Sequence, residues 1–170
     1  DSDTDSDTDS DTGELFEILD ATYVLNPYGT ADLVAVGKVY HEALVPKDVS
    51  SIRITIAGNG AGAEDLVAEV YPQSTQYQIN FDMSDQLAPG EVGIPILGLY
   101  EDHVNQVDFE IETDVGVFYG TLLITTPVLD DAGTVTMNIY EPELMAPGWI
   151  WVKGRVYDNQ GALRWKSNKF

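Results

Sequence analysis

Apolar and polar side chains alternate with a period of two along most of the chain from Leu15 onward, the spacing of a strand with one dry and one wet face. Ile52, Ile54 and Ile56 alternate with Ser51, Arg53 and Thr55, and Tyr77, Ile79 and Phe81 with Gln76, Gln78 and Asn80. Val107, Phe109 and Ile111 alternate with Asp108, Glu110 and Glu112, and Val135, Met137 and Ile139 with Thr134, Thr136 and Asn138. Leu33–Tyr40, Val115–Thr125 and Trp149–Tyr157 are apolar on both sides of the alternation and rich in β-branched and aromatic residues, which predicts central or doubly covered strands. Turn residues separate these runs at Asn26-Pro27-Tyr28-Gly29, Gly58-Asn59-Gly60, Ala88-Pro89-Gly90, Asp130-Asp131-Ala132-Gly133 and Asp158-Asn159-Gln160-Gly161. Pro27 and Gly29 suit the second and fourth positions of a type I turn. No stretch of twelve or more residues carries a helical stripe, so the predicted fold is an all-β sandwich.

Charge divides the chain. The formal net charge is −21 over 170 residues. Such a field opposes nucleic acid and anionic membrane surfaces, both of which need a Lys/Arg face. Six aspartates fall in Asp1–Thr12, a repeated Asp-Ser-Asp-Thr with no apolar residue, which predicts a disordered, self-repelling spacer. A calcium loop of the D-x-D-x-D-G kind fits this repeat less well, because Thr12 stands where glycine is required and Gly13 comes one position late. The other residues still carry a net −15, with sixteen acidic residues and no Lys or Arg between Arg53 and Lys153. Five of the eight basic residues then fall in Lys153–Lys169 against one acid, Asp158. With 44% hydrophobic residues the chain can build a core, and with no cysteine it has neither disulfide nor thiolate chemistry. No apolar run approaches the length of a membrane span, and the first residue is Asp, which suggests a chain cut from a longer precursor.

Candidate chemistry is sparse. Gly58-Asn59-Gly60-Ala61-Gly62-Ala63 follows a strand and matches G-x-G-x-x-A, with Asp82 about twenty residues on. A dinucleotide site needs a helix to follow, and only Glu64–Val70 precedes Pro72, so an inter-strand loop is the better reading. Asp108, Glu110 and Glu112 on one strand face could act as paired acid and base, but a solvated face that discourages edge-to-edge association accounts for them. His41 and His103 lie far apart, beside Glu42 and Asp102, and read as surface residues; no G-x-S-x-G or H-E-x-x-H is present. No catalytic, cofactor or metal residue is therefore assigned.

Trp149–Tyr157, the turn Asp158–Gly161 and Ala162–Trp165 read as a β-hairpin that holds all three tryptophans. With Asn26-Pro27-Tyr28-Gly29-Thr30-Ala31-Asp32-Leu33, the strand and loop Ser51–Gly62, Gly93-Ile94-Pro95-Ile96-Leu97-Gly98-Leu99-Tyr100 followed by Asn105-Gln106-Val107, and Ala146-Pro147-Gly148 before the hairpin, the chain resembles the N-terminal domain of bacterial aryl-sulfate sulfotransferases. The resemblance runs in order from about Tyr23 to Trp165. It implies an immunoglobulin-like β-sandwich leading into a six-bladed propeller, in a periplasmic enzyme that moves a sulfuryl group between phenols through a sulfated histidine. The resemblance implies that the family's catalytic histidines and arginine belong to the propeller, of which only the first strands are expected within these residues, so no catalytic role passes to His41 or His103.

The expected organisation is a disordered spacer over 1–13, the sandwich over 14–127 and a hairpin segment over 128–170 that opens a propeller. The expected role is non-catalytic: a structural and assembly domain, periplasmic or at the cell surface, with the propeller as partner, a homodimer contact or an upstream lipid anchor possible, and no cofactor. The alternative is an extracellular immunoglobulin-like binding module whose acidic surface takes calcium or a basic partner.

Overall fold

The computed structural model describes residues 13–27, 29–60, 63–74, 87–130 and 149–168. The expected spacer Asp1–Thr12, the strands Tyr77–Phe81 and Val135–Ile139, most of the turn Asp130–Gly133, and Ala146–Gly148 lie outside these residues.

Two sheets face each other. The larger has the order β1-β9-β8-β5-β6, with β1 Glu14–Glu17, β5 Val49–Ile56, β6 Leu66–Val70, β8 Val104–Thr113 and β9 Gly116–Thr125. The smaller is β2-β4-β7, with β2 Ala21–Leu25, β4 Val34–Val39 and β7 Val92–Leu97. The period-two pattern places Ile52, Ile54, Ile56, Val107, Phe109 and Ile111 inward, where they meet Val39, Ile94, Ile96 and Leu99 in one core. Each of these apolar side chains contributes about 1.5–3 kcal/mol through area removed from water. Pro95 is tolerated because, among the described residues, β7 is an edge strand with β4 as its one ladder partner.

The turns follow their residues. Gly29 N–H donates to Asn26 O at 3.0 Å, closing the predicted turn around Pro27. Glu91 N–H donates to Ala88 O at 3.1 Å, and Gly90 at φ 86° supplies the positive φ that a type II turn needs. The one helical element among the described residues is a 3-10 turn at Pro46–Asp48.

β1 pairs parallel with β9, from Glu14↔Gly116 to Glu17↔Tyr119. Gly116 lies at φ 153°, and a Cβ there would stand 2.1 Å from Glu14 O, so glycine is what lets the two backbones approach.

Two expectations change. β9 is central, between β1 and β8, but it is covered on one face only: Phe118, Leu122 and Ile124 are buried, whereas Leu123 is 61% exposed and Tyr119 and Thr125 are also exposed. Apolar residues on the wet face had disguised the alternation. Trp149–Tyr157 is not a single doubly covered strand. It forms β10 Ile150–Val152 and β11 Arg155–Tyr157 about a tight turn in which Lys153 and Gly154 have φ 45° and 75°, followed by β12 Leu163–Ser167. β12 then pairs with β3 Ala31–Asp32, giving a four-stranded sheet β10-β11-β12-β3 whose Tyr157 and Leu163 belong to the sandwich core. Glu64–Val70, too short for the helix that a dinucleotide site needs, contains the strand β6 at Leu66–Val70, antiparallel to β5.

Candidate functional site

The residues singled out for chemistry do not converge. His41 packs its ring against Phe118 and Phe16 at 5.2 and 5.5 Å, and its Nδ1 accepts the Ala43 N–H at 3.1 Å. It closes the turn after β4. His103 sits beside Thr126, donating its N–H to Oγ1 at 3.3 Å and accepting the hydroxyl at its carbonyl at 3.1 Å. Phe118 and Thr126 mark opposite ends of β9, so the two imidazoles are held apart.

Asp108, Glu110 and Glu112 share the outer face of β8, as their spacing predicts. Asp108 accepts from Thr121 Oγ1 at 2.6 Å and Gln106 Nε2 at 3.1 Å, and Glu112 accepts from Ser51 Oγ at 2.9 Å. Arg53 stands in register between Glu110 and Glu69, a cation placed where the alternation alone showed a bare acidic face. Beyond Glu69, its carboxylate accepts a hydrogen bond from the exposed Tyr71 phenol and, with its charge, holds that phenol above the ordinary tyrosine range. Among the described residues no three His, Asp or Glu side chains form a group able to hold a metal.

Gly58–Ala63 joins β5 to β6, with Gly58 N–H donating to Asp65 Oδ1 at 2.9 Å. A strand follows it, and among the described residues no α-helix faces the loop to offer a pyrophosphate its dipole.

The polar residues that organise the molecule lie elsewhere. Asn105 is 1% exposed at the start of β8. Its Oδ1 accepts the Tyr100 N–H at 2.7 Å, while Nδ2 donates to Tyr100 O at 3.1 Å and to Ile124 O and Thr126 Oγ1 at 3.3 Å. The one hydroxyl proton of Thr126 is shared between Tyr100 O, its nearer acceptor, and His103 O. Together they fix the loop 98–103 against the end of β9, satisfying backbone groups that the strands leave over.

That loop carries a second buried polar group. Arg164, on β12 and 3% exposed, donates from Nε to Gly98 O at 2.8 Å and from Nη1 to Asp158 Oδ2 at 3.2 Å. Its guanidinium carbon lies 3.6 Å from the centre of the Tyr100 ring. Asp158 Oδ1 meanwhile accepts the Gln160 and Ala162 N–H groups at 3.0 and 2.9 Å, so one carboxylate shapes the turn and pairs the arginine. Gly98 has φ 87°, and a Cβ there would meet the Trp149 ring and Leu66 at 2.9 Å. Gly98-Leu99-Tyr100 and Asn105 are thus one joint: an asparagine that holds a loop, and a loop that receives the guanidinium of the last strand.

Residues 22–127 match the family model described as the arylsulfotransferase Ig-like domain. No curated protein matches the chain.

Proposed function

Because the chain belongs to the arylsulfotransferase Ig-like domain family, with more than half its length within the match, we propose that it serves as a non-catalytic structural domain that holds the segment after the sandwich in a fixed orientation. The Arg164 joint carries this reading. β10 to β12 lie beyond the matched residues, yet they are fastened to the sandwich by the guanidinium on Tyr100 and Gly98 O, by the β12–β3 pairing, and by Tyr157 and Leu163 in the core. Whatever continues past β12 starts from a strand anchored at several points. In this role the domain seats a catalytic propeller, and the family resemblance supports an exported, periplasmic or cell-surface address. No helix among the described residues is long and apolar enough to cross a membrane.

Two measurements test it. Amide relaxation should show residues 150–167 tumbling with the sandwich, and independent tumbling of that segment would overturn the reading. Incubated with an aryl sulfate and a phenol acceptor, the chain should transfer no sulfuryl group. Turnover lost on replacing His41 or His103 would show that it is an enzyme after all.

A further inference from the structure

Two cavities meet at Trp149. One, of about 400 Å³, lies between Glu64 and Asp65 ahead of β6, Leu66 at its start, Tyr100, and the turn at Asp158–Gln160, with Arg164 in its lining. The other, of about 130 Å³, opens between the β6 and β7 edges of the two sheets and is lined by apolar side chains, among them Ile56, Ala68 and Leu97. Trp149 and Leu66 belong to both. We propose that this paired cleft is a binding site for an uncharged peptide-like group, an amide with a bulky apolar side chain.

Arg164 spends Nε on Gly98 and Nη1 on Asp158, while Nη2 is buried without a partner among the described residues, an orphaned donor of a kind that folded proteins rarely leave. It calls for an acceptor oxygen. The acceptor is neutral, because Glu64, Asp65 and Asp158 outnumber the one guanidinium and would repel sulfate, phosphate or a carboxylate. An amide carbonyl meets both conditions. Next to it, an apolar space of about 130 Å³ is near the size at which an engineered cavity stays dry and takes up benzene, so it suits a leucine- or phenylalanine-sized side chain. Trp149, wedged over Gly98, forms the shared wall between the polar and the apolar part.

The probe is N-acetyl-leucinamide, followed by amide and indole NMR shifts on the whole chain. The expected result is saturable perturbation of Leu66, Gly98, Tyr100 and the Trp149 indole with a dissociation constant on the order of millimolar. N-acetyl-glycinamide, which lacks the apolar group, should bind at least about tenfold more weakly, and so should the carboxylate N-acetyl-leucine. Ala68→Phe, which fills the apolar chamber from the β6 edge, should abolish the perturbation. Absence of saturable shifts, equal binding of the glycine analogue or of the carboxylate, or undiminished binding by a folded Ala68→Phe chain would each overturn the proposal. The two ligand comparisons need no variant, so they stand even where Ala68→Phe does not fold.

Discussion

Replacing Asn105 with alanine removes the amide that bridges the 98–103 loop to β9, and the cost can be worked from its partners. The Tyr100 N–H, now 2.7 Å from Oδ1, becomes a buried donor without an acceptor, at about 1–3 kcal/mol. Tyr100 O keeps the Thr126 hydroxyl, but Ile124 O loses the Nδ2 contact at 3.3 Å, at about 1 kcal/mol. A loss of about 3 kcal/mol follows. With a urea m-value of about 1.5–2 kcal/mol/M, the unfolding midpoint should fall by about 1.5–2 M. Far-UV circular dichroism in urea reads that shift, and hydrogen exchange should find the Tyr100 amide among the most accelerated. Asn105→Asp sharpens the test: a carboxylate placed among carbonyl oxygens prefers its neutral form, so this variant should gain stability as pH falls from 7 to 5 relative to the parent. A loss below about 1 kcal/mol in Asn105→Ala, with Tyr100 exchange unchanged, would refute the bridging role.

Arg164→Met keeps the length of the side chain but leaves the partly buried Asp158 without its cation, at a cost of about 3 kcal/mol. All three tryptophans lie in 149–165, so their fluorescence should report loss of the tail sheet at lower urea than the circular dichroism of the sandwich. Gly116→Ala should release β1, seen as lost exchange protection of residues 14–17 while β5 and β8 stay protected. In Glu69→Gln the Tyr71 phenol should titrate lower than in the parent, followed by ultraviolet absorbance at 295 nm; an unchanged titration would mean that Glu69 is not its cause.

The strands with clean alternation were legible because one residue type faces each way: β5 and β8 follow from Ile52 to Ile56 and Val107 to Ile111 position by position. β9 was harder, since Leu123 and Tyr119 put apolar side chains on the wet face, where no energetic rule forbids them. β6 is not legible as a strand because Leu66-Val67-Ala68-Glu69-Val70 is too short and too mixed to choose between periods; its pairing with β5 decides. Lys153-Gly154 was hidden inside an apolar stretch, where a lysine at positive φ gives no warning. Least legible of all was the joint. Asn105 and Arg164 read as surface residues by type, and only the loop backbone folded back over them makes their burial tolerable. The family motif Gly98-Leu99-Tyr100 was visible as a pattern of letters, while its meaning, a seat for a guanidinium sixty-six residues away, depends on the fold.

The parallel pairing of β1 with β9 sets how the domain bears load. Tension drawn from residue 13 on one side and from beyond Thr125 on the other runs along two strands that point the same way. Such a pull slides them past each other, so the ladder from Glu14 to Glu17, with the Ile18 N–H on Tyr119 O behind it, has to give way together. An antiparallel strand in the same place would peel open one bond at a time. With four residues and one glycine-allowed close approach, the sandwich has a shear clamp at its amino end.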